Sequence, residues 1–182
     1  FILGKGPDPL PAMLASARRL EAAGAQIVGI PCMTAHNFLP RLRRLSNLNF
    51  ISAFEAMAAA IRGTWPEVHS LGILATAGTK AARLYETYLP GYTIIWPEED
   101  EQKNLVMEAI YGEEGIKAGN RGEYPRSLLV EAAVSLEKRG ADAIVAGCTE
   151  VPLALSQEAL RLPLIDPMVI LAKALIANAR SG

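Results

Sequence analysis

Residues 19–34, RLEAAGAQIVGIPCMT, and residues 135–150, SLEKRGADAIVAGCTE, are one unit written twice. Aligned without gaps they share Leu20 with Leu136, Glu21 with Glu137, Gly24 with Gly140, Ala25 with Ala141 and Cys32 with Cys148, all at a single offset. The chain contains two cysteines, and the repeat puts both at the same point of the unit.

Each copy reads as helix, glycine turn and buried strand. In DPLPAMLASARRLEAAGA a proline stands near the start, Leu10, Met13, Leu14, Ala17 and Leu20 recur at helical spacing, and Gly24 closes the run. The short apolar segment QIVGIPC follows at once. In the second copy a helix runs from Tyr124 to about Arg139, Gly140 turns, and a strand is expected over 143–146. Further strands are expected in LNFIS, SLGILAT (70–76), YTIIWP (92–97) and LPLID (162–166). Apolar strands alternating with helices specify α/β layering, with parallel sheets covered on both faces. The repeat splits the fold into two pseudo-symmetric, Rossmann-like lobes. The first is expected to comprise residues 1–52 plus 167–182, the second 53–166, with the active site in the cleft between them. The opening FILGKGPDPLPAM has no Met and looks like a strand end entering a loop, so a preceding N-terminal part is expected.

Composition narrows the partners. A net charge of −1 with scattered Lys and Arg offers no field for nucleic acid. No apolar run reaches the roughly 20 residues a bilayer span needs, so no membrane partner is expected. Two cysteines are too few for a disulfide framework, and no basic-then-apolar leader opens the sequence, which favours a reducing cytoplasm.

Each cysteine ends its strand, and open α/β sheets bind ligands beyond the carboxyl ends of strands. Thr34 and Thr149 follow closely and can offer hydroxyls and N–H groups at the mouth of a following helix. A filler role suits either cysteine alone. A zinc site lacks ligands, even with His36, and a redox pair lacks a C-x-x-C motif. Two thiols facing one substrate suit acid and base work: one removes a proton from carbon while the other delivers one to the opposite face.

IPCMTAH and AGCTEVPLAL, together with the opening segment and PLIDPM, resemble the aspartate/glutamate racemase family over essentially the whole chain, its aspartate racemase branch above all. The resemblance implies a cofactor-independent racemase with Cys32 and Cys148 as the acid/base pair and an aspartate- or glutamate-type amino acid as substrate. It also implies a homodimer. Thr34, Thr149 and Thr76 are assigned to the substrate carboxylate and Lys117 to a distal carboxylate. Met33 stands where the family places an asparagine beside the substrate. By analogy Cys148 deprotonates the L-enantiomer and Cys32 the D-enantiomer. Read without the resemblance, Lys117 is a surface charge, Thr76 and Thr79 cap the helix KAARLYETYL, Glu150 is a first-turn charge and Asp166 an N-cap. Rival readings are a relative acting as a malonate decarboxylase, maleate isomerase or hydantoin racemase, or a binding domain without turnover.

Overall fold

The computed structural model describes residues 2, 4 and 6–180; the strand end expected at the very start of the chain lies outside the described residues. The elements in chain order are α1 (Leu10–Ala22), β1 (Ile27–Gly29), α2 (Leu39–Leu45), β2 (Asn49–Ile51), α3 (Ala53–Thr64), β3 (Ser70–Leu74), α4 (Ala77–Ala81), α5 (Leu84–Tyr88) and β4 (Thr93–Ile95). They continue with α6 (Glu99–Glu101), α7 (Glu108–Tyr111), α8 (Glu123–Lys138), β5 (Ala143–Ala146), β6 (Leu164–Ile165) and α9 (Pro167–Arg180). A π-helical stretch, Gln102–Met107, joins α6 to α7.

The strands form two parallel sheets, β1–β2 and β4–β3–β5–β6. The fold is α/β with parallel sheets in the two-lobe arrangement that the repeat specifies.

The shared residues of the repeat make the same turn in both copies. Gly24 and Gly140 take φ of 82° and 91°, a left-handed conformation that side-chain-bearing residues rarely adopt. The Gly24 and Ala25 amides donate to the Glu21 and Leu20 carbonyls, and the Gly140 and Ala141 amides donate to those of Glu137 and Leu136. This is a Schellman C-cap, which ends a helix and sends the chain directly into a strand. Identity between the copies is therefore concentrated where helix becomes strand.

The four-stranded sheet is apolar on both faces because strand residues alternate sides. Leu71, Ile73, Ala143 and Val145 pack with Phe54, Met57 and Ile61 of α3 and with Leu171 of α9. Leu74, Ile144 and Ala146 pack with Leu129 and Leu136 of α8 and Ile110 of α7. A smaller core under α1 and α2 contains Leu10, Ala17, Phe38, Leu39, Leu42 and Phe50. After β6, α9 returns to cover β1, so closely that a Cβ on Gly29 would lie 2.9 Å from Leu175 Cδ1.

Two local expectations change. The run KAARLYETYL is not one helix: Arg83, at φ 51°, separates α4 from α5, and α5 buries Leu84 and Tyr85. The segments after the cysteines begin as short 3₁₀ turns, Thr34–Phe38 and Val151–Leu153, not as α-helices. The Asp166 cap read from sequence holds, its Oδ1 accepting from the Met168 amide at the start of α9, and a further cap forms at the start of α3, where Ser52 Oγ accepts from the Glu55 amide.

Candidate active site

Both cysteines are free. Cys148 follows β5, and its position is set by a close approach. The Gly147 amide donates to Leu74 O at 2.8 Å, and a Cβ at Gly147 would lie 2.5 Å from Tyr85 Oη and 2.8 Å from Ala75 Cβ. Only glycine lets β5 run this close to the end of β3. Cys32 follows β1 and is exposed.

A histidine fixes the Cys32 turn. His36 is fully buried, and its Nε2 accepts from the Ala53 amide at 3.0 Å, so the proton resides on Nδ1, which donates to Cys32 O at 3.0 Å. The neutral ring thus ties the Cys32 turn to the start of α3. Burial lowers the His36 pKa, more than its hydrogen bonds to the Cys32 and Met33 carbonyls raise it.

Three threonines join the Cys32 loop to the end of β3. Thr34 Oγ1 lies 2.6 Å from Thr79 Oγ1, which lies 3.2 Å from Thr76 Oγ1. Three hydroxyls carry three protons and the two mutual bonds use two, leaving one O–H to donate to a bound anion. A cavity of about 550 Å³ opens over this cluster, lined by Cys32, Thr34, Thr76, Met13, Met107 and Tyr111 among others. The π-helical stretch helps place that wall, with Gln102 Nε2 donating to Ala75 O at 2.9 Å and the Ala77 amide to Met107 Sδ at 3.4 Å.

Around Cys148 the organising group is Glu150. Its Oε2 accepts from the Cys148 thiol and from Thr149 Oγ1, both at 2.9 Å, and its Oε1 accepts from Lys117 Nζ at 2.6 Å. Burial alone would raise the Glu150 carboxyl, but these three donors outweigh it and hold the pKa at about 2. The Cys148 thiol is pushed up to about 12, first by burial and then by its hydrogen bond to the Glu150 anion. At neutral pH Cys148 therefore carries its proton.

Tyr111 stands between the Cys32 cavity and the Lys117–Glu150 pair. It lines the Cys32 cavity, and Lys117 Nζ lies 5.4 Å from its ring centre. Its phenol is raised by burial first, then by the charge that Cys148 and, to a lesser degree, Glu150 and Cys32 can carry.

Of the residues assigned from sequence, Cys32, Thr34 and Thr76 line one cavity, while Thr149 and Lys117 gather with Cys148 around Glu150. Met33 is 2% exposed and packs in the core with Phe54 and Met57. An asparagine there would bury an amide among apolar side chains. Lys117 is already ion-paired. Read from sequence, Glu150 and Thr79 have only local structural roles and His36 stays outside the site, while Met107 and Tyr111 are not singled out. Among the described residues no group of three His, Cys, Asp or Glu side chains could hold a metal, and no helix is long and apolar enough to cross a membrane.

Residues 3–175 match the Asp/Glu/Hydantoin racemase family. The chain belongs to that family. An aspartate racemase homologue from Pyrococcus horikoshii OT3 superposes with a TM-score of 0.79 at 25% identity, over 94% of this chain and 74% of that one. The aspartate racemase of Picrophilus torridus gives 0.79 at 22% identity, over 96% and 71%. The broad specificity amino-acid racemase RacX of Bacillus subtilis (strain 168) is 23% identical over 167 residues, 92% of this chain and 70% of that protein. The four-stranded sheet with a cysteine at the end of β5 is thus built on the fold of this racemase family.

Two expectations follow for a racemase-family chain with this site. His36 has a lowered folded pKa, so its contribution to stability is present above its unfolded value of 6.5 and is lost as pH falls below it. Urea midpoints taken from about pH 8 down to about pH 5 should fall in the native chain and stay flatter in His36→Phe; equal slopes would mean His36 is not held neutral. Glu150→Gln removes the anion that holds the Cys148 proton. In a Cys32→Ser background, iodoacetamide should modify Cys148 several-fold faster at about pH 9 once Glu150 is replaced. An unchanged rate would show that Glu150 does not set the state of that thiol.

Proposed function

We propose that this chain is an amino-acid racemase that inverts the α-carbon with Cys32 and Cys148 as a two-sided acid/base pair. The observation that carries the reading is the environment of Tyr111: its side chain lines the Cys32 cavity, and its ring centre lies 5.4 Å from Lys117 Nζ, which is paired with Glu150, the acceptor of the Cys148 thiol proton. Membership of the racemase family and similarity to a broad specificity amino-acid racemase support the substrate class.

The chemistry needs no group beyond these side chains. In one direction Cys32 Sγ takes the α-proton as a thiolate, and the C–H electron pair moves into the substrate carboxylate to give an enediolate. The Cys148 S–H proton then goes to the opposite face, the electron pair returns to carbon, and inverted amino acid leaves with Cys32 protonated and Cys148 ionised. The reverse direction exchanges these roles. Cys148, its thiol pushed up to about 12 and hydrogen-bonded to Glu150, is in the form ready to donate. By the family analogy, that form takes the D-enantiomer.

Charge that develops on the carboxylate is met by the spare proton of the Thr34–Thr79–Thr76 cluster. Glu150 accepts a hydrogen bond from the Cys148 thiol and Lys117 anchors the carboxylate, so the sulfur is held in one orientation. Neither group touches carbon; both are positioning residues for Cys148.

Serine is a far weaker base than a thiolate, so each single replacement should silence one face. Cys148→Ser should abolish α-deuterium uptake from the L-enantiomer while leaving uptake into the D-enantiomer. Cys32→Ser should do the converse, and neither should racemise. The measurement is mass spectrometry of each enantiomer after incubation in D₂O with the full natural chain. Racemisation by either variant at close to the native rate would refute the two-thiol reading.

A further inference from the structure

Resting on the racemase reading, we propose that Tyr85 is a positioning residue for Cys148: its buried O–H is the donor that meets the sulfur once the thiol has given its proton to the substrate carbon. The proposed reaction leaves Cys148 as a thiolate in one of its two states, beside a carboxylate. Glu150 Oε2 accepts from the thiol at 2.9 Å, so the bond that orients the protonated sulfur becomes a contact between two anions when the proton leaves. Lys117 Nζ meets Glu150 through its other oxygen, Oε1, at 2.6 Å. A donor aimed at the ionised sulfur relieves that repulsion.

Tyr85 has such a donor to spare. Its side chain, from α5, is completely buried, and its Oη has no hydrogen-bond partner among the described residues. The hydroxyl lies against the end of β5: a Cβ at Gly147, the residue before Cys148, would stand 2.5 Å from Oη. The ring is held edge-on to Phe54, with centroids 5.0 Å apart, and to Trp96, at 5.7 Å. Phenylalanine would make the same ring contacts without burying an unpaired hydroxyl, which is costly in a core. An oxygen kept at that cost, next to the strand end that carries the thiol, marks a use outside packing. Burial, and then the charge Cys148 can carry, raises the Tyr85 pKa, so the phenol keeps its proton and acts only as a donor. Tyr111 also feels that charge, but it is exposed and can bond to water. In the protonated state the sulfur gives its hydrogen bond to Glu150; in the ionised state it accepts one from Tyr85.

Tyr85→Phe in the full natural chain deletes one oxygen and keeps the ring. Its urea midpoint should equal or exceed the native one, because an unpaired buried hydroxyl has gone. In a Cys32→Ser background, iodoacetamide should modify Cys148 several-fold more slowly at about pH 9 when Tyr85→Phe is added, since less of the thiol is ionised. Racemisation is followed by chiral chromatography on whichever of aspartate, glutamate, methionine and phenylalanine the native chain turns over. In Tyr85→Phe, kcat/KM should fall roughly tenfold or more from either enantiomer, since the two are equal in free energy and the lost bond is one to a charged group. An unchanged alkylation rate, or native kcat/KM in Tyr85→Phe, would overturn the inference and leave the racemase reading in place. A lowered urea midpoint with unchanged alkylation would assign Tyr85 to packing alone. If the native chain racemises none of the four, the racemase reading fails, and the alkylation rate by itself decides whether Tyr85 meets the thiolate.

Discussion

Parallel pairing of β5 against β3, Leu71 with Ala143 through Leu74 with Ala146, is the contact from which the site is built. It brings two strand ends together, with the Gly147 amide bonded to Leu74 O and Gly147 packed against Ala75. Bulk at Gly147 would strike Tyr85 and Ala75 and displace the neighbouring Cys148. The same register buries strand residues on both sheet faces, so the packing that stabilises the second lobe also fixes the chemistry at its edge. The Cys32 loop reaches this edge through Thr34 and Thr79, and His36 fastens that loop to α3 behind it.

The fold was legible because its signals are local and repeated. The Schellman turns at Gly24 and Gly140, the continuous apolar strands and the caps at Ser52 and Asp166 each follow from a few neighbouring residues. The helical run from α6 to α7 was legible too but unread: EEDE supplies a first turn with Glu98 and Glu101 in a capping box, and Val106, Ala109 and Ile110 give its buried face. That omission hid Met107 and Tyr111. Proximity in sequence does not fix the face a side chain takes: in the turn after Cys32, Met33 packs into the core, where an apolar thioether belongs. Glu150 reads from sequence only as a first-turn charge because its partners Cys148, Thr149 and Lys117 include one 33 residues distant, a contact no local pattern reveals.

The two thiols occupy equivalent points of a duplicated unit yet sit in different surroundings. Cys32 is exposed beside an apolar cavity, whereas Cys148 is partly buried and hydrogen-bonded to an anion. On the proposed two-thiol reading, a proton acceptor on one face and a held proton on the other is the asymmetry a single inversion requires. Duplication supplied the matched positions, and Glu150 with Lys117 made them unlike.

A thiol carries a single proton, and this gives the central claim a direct isotopic consequence. In the native chain the enediolate is quenched from the opposite face before the thiol that removed the α-proton exchanges with solvent, so same-face return carries the original proton while the product receives its hydrogen from the other cysteine, equilibrated with solvent; only a Cys→Ser variant, lacking the second donor, leaves the remaining thiol time to exchange. The decisive measurement follows racemisation of a protiated amino acid in D₂O at early conversion, reading the α-hydrogen of substrate and product separately. The account predicts that the product enantiomer is deuterated while recovered substrate remains protiated. Deuterium entering recovered substrate as fast as product, or product that retains the original proton, would contradict it.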